Sequence, residues 1–108
     1  MVFSLAELER RIAPIARKYG LSAVYLFGSY ARNEATEASD VDILIDRTGS
    51  KIRGMFDMGG LYNDLRKGIG KEIDLVTTQM LEQKSTLERS PWFAETVKTE
   101  MRKIYEQQ

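Results

Sequence analysis

The chain has 108 residues, 43% hydrophobic and 30% charged, the balance of a folded protein large enough for one core and too small for two independent ones. Sixteen basic side chains balance sixteen acidic ones, so no global field attracts nucleic acid or an anionic membrane, and direct nucleic-acid binding is not expected. Without cysteine or histidine there are no disulfides, zinc-thiolate centres, cysteine nucleophiles or imidazole bases, and any chemistry must run on carboxylates, hydroxyls, lysines or a bound ion.

Ser4 with Glu7 three residues on is a capping box, and Leu5, Leu8, Ile12, Ile15 and Tyr19 recur at helical spacing before Gly20, which predicts a helix over 4–19. Pro14 deprives the Arg10 carbonyl of its partner and predicts a kink. SAVYLF, 22–27, reads as a buried strand ended by Gly28-Ser29. One helical turn follows from Ser29 to Asn33, and NEATEAS is a polar loop. DVDILID, 40–46, predicts a second strand with Val41, Ile43 and Ile45 on one face. After a connection over 47–51, Met55, Met58, Leu61, Tyr62 and Leu65 predict a helix over 54–67 with both methionines in the core. Gly59 and Gly60 fall mid-pattern, so this helix either breaks there or packs closely on the sheet, and Gly68 and Gly70 end it. EIDLVT, 72–77, is a third strand, flanked by Lys71 and Glu72 as surface charges. Ser90-Pro91 marks a further helix start, with Phe93, Val97, Met101 and Ile104 along one face and Trp92 near its beginning, covering the sheet. Hydrophobic runs stay short of the ~18–20 residues that span a bilayer, and the first twenty residues read as an amphipathic helix instead of a secretory signal. The expectation is one cytoplasmic domain over 1–108.

Side chains two apart on a strand point the same way, so Asp40 and Asp42 project together and repel each other unless a cation or hydrogen-bond donors intervene. All-oxygen ligands suit Mg²⁺, which usually shares its shell with substrate phosphates. If the third strand neighbours the second, Asp74 joins the pair, and two metals about 3.5–4 Å apart would fit such a trio. Gly28-Ser29, a strand end opening a helical turn, lets backbone N–H groups approach an anion, with the serine hydroxyl as a further donor. Asp-x-Asp alone is common by chance. A Gly-Ser pair at a fixed distance upstream makes the combination informative. Arg32 could steady a triphosphate or simply pair with Glu34 or Glu37, while Glu34, Glu37 and Asp46 read as solvated charges.

GSYARNEATEASDVD, which is Gly-Ser, ten residues, then Asp-x-Asp, resembles the signature of the polymerase-beta-like nucleotidyltransferases. With LFGSYAR, SDVDILID and EIDLVT in place, the chain looks more narrowly like a minimal nucleotidyltransferase, the MNT half of HEPN/MNT toxin–antitoxin pairs. The resemblance implies an α/β (α+β) fold, a small mixed sheet flanked by helices. It implies that Gly28 and Ser29 hold the nucleotide phosphates, that Asp40 and Asp42 bind Mg²⁺, and that Asp74 is a further ligand or the base. It also implies transfer of AMP from ATP onto a tyrosine of a partner HEPN ribonuclease toxin. One departure is Asn33, where the family usually has glycine after Ala-Arg; asparagine tolerates the left-handed backbone, so the turn can survive. Two rival readings are an antitoxin that blocks its toxin sterically without turnover, and the nucleotide-binding half of a split small-molecule nucleotidyltransferase, for instance one that modifies an antibiotic.

Overall fold

The computed structural model describes residues 2–80 and 99–107. Helix α1 (Leu5–Tyr19) starts where Ser4 Oγ accepts the Glu7 N–H at 3.1 Å and ends on Gly20, whose left-handed φ of 68° lets its N–H reach the Ala16 and Arg17 carbonyls. The helix runs on through Pro14, which faces solvent. Strand β1 (Ala23–Phe27) follows, then the single turn α2 (Gly28–Ala31) and strand β2 (Val41–Asp46). Helix α3 (Met55–Ile69), strand β3 (Ile73–Thr77) and strand β4 (Arg102–Glu106) complete the described elements.

The strands form one mixed sheet in the order β3-β2-β1-β4, with β2 parallel to β3 and β1 antiparallel to both β2 and β4. Alternation divides its two faces. Val24, Leu26, Val41, Ile43, Ile45 and Ile73 pack with Leu8, Ile12 and Ala16 of α1 and Leu61, Leu65 and Ile69 of α3 in the main core. On the other face Leu44 is the centre of a smaller cluster with Tyr25, Phe27, Val76 and Met101. Asp42 and Asp74 belong to this second face by alternation, at the end of the sheet where β1 gives way to α2.

Helix α3 does not break at its glycines, nor does it end at Gly68. It continues to Ile69 and is capped by Gly70 at φ 78°. The close approach is to α1 and not to the sheet: a Cβ on Gly60 would lie 3.2 Å from the Tyr19 hydroxyl, and one on Gly68 would lie 2.8 Å from Ile15 Cδ1. Of the two methionines read as core, Met58 packs against it, whereas Met55 is 88% exposed in the first turn of α3 beside Phe56, which is 94% exposed. The last predicted helix is seen at Thr99 and Glu100 and is corrected beyond them. Ile104 lies in β4, paired with β1, and Met101 packs under the sheet, while Ser90, Trp92, Phe93 and Val97 lie outside the described residues.

Candidate active site

The site is assembled at the β1–α2 junction. Phe27 is in register with Asp42, so the next residue, Gly28, turns the chain alongside the Asp42 side chain. Gly28 has φ 69°, and a Cβ built on it would lie 2.1 Å from Asp42 Oδ2 and 3.0 Å from Cγ. Two separate demands therefore fix this glycine: a left-handed backbone and the space that the carboxylate fills. On the other side of β2, Asp42 is in register with Asp74 of β3. Adjacent parallel strands lie about 4.8 Å apart with paired side chains on one face, so the two acids are neighbours.

Asp42 shows the consequence. Its carboxyl is pushed up to about 6, first by burial, then by the charges of Asp74 and Asp40, with Arg32 opposing them. Asp40 is exposed, one residue before β2, and Asp74 is also exposed. Among the described residues no group of three acid, histidine or cysteine side chains is gathered closely enough to enclose a metal ion. The donor set nevertheless fits a hard cation: oxygens alone, with negative charge in excess of any partner and one member held half-buried by backbone contact.

Ser29 lies half-buried in the first turn of α2, its carbonyl accepting the Glu34 N–H at 2.9 Å, and its hydroxyl has no hydrogen-bond partner among the described residues. Asn33 takes φ 61°, as the exchange for glycine requires, and is the only non-glycine residue with positive φ among those described. Of the two roles expected for Arg32, the structure shows the ion pair. It pairs with Glu34 at 3.2 Å and with Glu100 at 3.1 Å, and it stands near enough to Asp42 to oppose the rise of its pKa.

Three supports of the turn have no local signal in the sequence. Arg102 of β4 donates Nε to the Ala31 carbonyl at 2.7 Å, and Glu100 reaches Arg32 across 68 positions of chain. Lys71, read as a surface charge, donates Nζ to the Tyr30 hydroxyl at 3.3 Å and to the Glu37 carbonyl at 3.2 Å. The segment after β1 is thus tied from both flanks of the sheet.

The family described as polymerase beta nucleotidyltransferase matches residues 10–107, and the chain belongs to it. It is an enzyme of the nucleotidyltransferase class, and the minimal nucleotidyltransferases are the group within that class with which it stands. A Methanocaldococcus jannaschii protein named "putative protein adenylyltransferase" is 40% identical over 74 residues, 68% of this chain and 77% of that one. The protein adenylyltransferase MntA of Thermococcus cleftensis is 36% identical over 67 residues, 62% of this chain and 66% of that one. Among solved structures, a chain from a crystal structure of a toxin–antitoxin with AMP-PNP superposes with a TM-score of 0.66 at 24% identity, over 93% of this chain and 74% of that one. A chain of a toxin–antitoxin MntA-HpeT mutant follows with a TM-score of 0.63 at 22% identity, over the same shares. At these identities the superpositions show the fold.

Proposed function

We propose that the chain transfers AMP from ATP onto a tyrosine hydroxyl of a HEPN ribonuclease toxin and so acts as its antitoxin. One observation carries the reading: the carboxylate of Asp42 rests on the bare Cα of Gly28 and stands in register with Asp74, which joins a phosphate-binding turn to a pair of like charges. The relatives named as protein adenylyltransferases and the likeness to toxin–antitoxin structures, one of them with AMP-PNP, support the choice of nucleotide and partner.

In this reading the backbone N–H groups after Gly28 and the Ser29 hydroxyl grip the phosphates of ATP, with Arg32 as a further cation. Asp40, Asp42 and Asp74 would hold two Mg²⁺ ions, which supply charge neutralisation on the phosphates and acidify the attacking hydroxyl. The acceptor oxygen bonds to the α-phosphorus as the bond to the bridging oxygen of pyrophosphate breaks, and Asp74 takes the hydroxyl proton. Most of the rate gain then comes from positioning and fixed electrostatics. Among the described residues no helix is long and apolar enough to cross a membrane.

The test is to incubate the purified chain with Mg²⁺, ATP and the protein encoded by the adjacent gene, and to measure the partner's intact mass. The expected result is a gain of one or more AMP units that disappears with Asp42→Ala. Neutralisation of the toxin without any mass gain, persisting in Asp40→Ala and Asp42→Ala, would instead establish a steric antitoxin. AMP appearing on an added small-molecule acceptor and never on the partner would establish the split small-molecule enzyme.

A further inference from the structure

The start of β4 sits against the end of the phosphate turn in a fixed register. Arg102 Nε holds the Ala31 carbonyl at 2.7 Å, and two residues before it Glu100 meets Arg32, the residue after Ala31, at 3.1 Å. The Arg32–Glu100 contact therefore lies beside a second tie, from the Arg102 side chain to the neighbouring Ala31 carbonyl. Arg32 also pairs with Glu34, but that carboxylate is 66% exposed, against 28% for Glu100, so water screens it far more. The Arg32 side chain itself is 41% exposed, open to an incoming anion.

We infer that Glu100 is a positioning residue that competes with the nucleotide triphosphate for Arg32, and so sets how tightly ATP is held. The inference rests on the nucleotide reading of the site. With no nucleotide bound, Glu100 draws Arg32 toward β4. A triphosphate at Gly28-Ser29 brings several negative oxygens within reach and must take the guanidinium from Glu100. Arginine suits such an exchange because its planar fork pairs equally well with carboxylate and phosphate oxygens.

The experiment is calorimetric titration of Mg²⁺–ATP, with adenosine in parallel, into the full chain and into Glu100→Gln, Arg32→Ala and the double variant, with the thermal midpoint of each recorded. Glu100→Gln should bind ATP about threefold more tightly, the scale of one partly exposed ion pair, with adenosine binding unchanged. Arg32→Ala should bind ATP about tenfold more weakly, and adding Glu100→Gln to it should bring no further gain. Weaker ATP binding in Glu100→Gln, or the same gain in the Arg32→Ala background, would overturn the competition. ATP affinity unchanged in Arg32→Ala would remove Arg32 from the site and the inference with it. If no variant and no wild-type chain binds ATP at all, the nucleotide reading itself fails, a result distinct from the other two.

Discussion

Gly28 and Asp42 must be considered as a pair, because each occupies space the other leaves. The Gly28→Ala side chain would overlap the Asp42 carboxylate and sit on a left-handed backbone, which alone costs about 1–2 kcal/mol for an ordinary residue. Chemical denaturation should show that loss, and nucleotide transfer should fall at least tenfold as Asp42 is displaced; a variant with wild-type transfer would mean that the contact is not needed. Asp42 also predicts a pH dependence. Pushed up to about 6, it exceeds the ordinary carboxylate value of 3.8, so the folded state binds this proton more tightly than the unfolded one. The resulting stabilisation is complete below about pH 4 and is lost as pH rises through 6. In chelator, Asp42→Asn should therefore gain on the wild-type chain across that window, by on the order of 1 kcal/mol after allowance for the water that reaches a half-buried group. A thermal-midpoint difference flat with pH would contradict this. At this scale the meeting of Gly28 with Asp42 was legible because turn and strand chemistry lie within one short stretch. Glu100 was not, since nothing local to Arg32 marks a partner 68 residues away.

Among the elements, β4 is the instructive failure. Met101 and Ile104 continue a helical spacing from Phe93 and Val97, but Arg102–Glu106 has only five residues, too few for its own periodicity to decide, and pairing with the open edge of β1 makes it a strand. The longer elements were legible for the opposite reason. The capping box and glycine stop of α1, and the apolar alternation of β2, carry several concordant signals each. Gly60 and Gly68 of α3 show where such signals mislead, since close contact with Tyr19 and Ile15 favours residues there that helix propensity disfavours. Strand β4 is also predicted to matter through Arg102. Arg102→Ala leaves the part-buried Ala31 carbonyl without its donor, which should cost about 1–2 kcal/mol in urea denaturation and weaken ATP binding, with Arg102→Lys recovering part of both. An unchanged denaturation midpoint would show that β4 does not brace α2.

For the whole molecule, the strand order is what turns three separate stretches into one place. Because β2 lies between β1 and β3, the turn after β1 falls on one side of Asp42 and the acid of β3 on the other. The family's match over 10–107 takes in all three stretches. The most direct measurement of the central claim is the single-turnover rate of AMP transfer to the partner in Asp42→Asn, Asp74→Asn and the double variant, at saturating Mg²⁺–ATP. If the two acids serve one site, each single variant should lose at least about a hundredfold and the double should lose little more than the worse single one, as for groups that act as a unit. Transfer at the wild-type rate in Asp74→Asn would contradict the account.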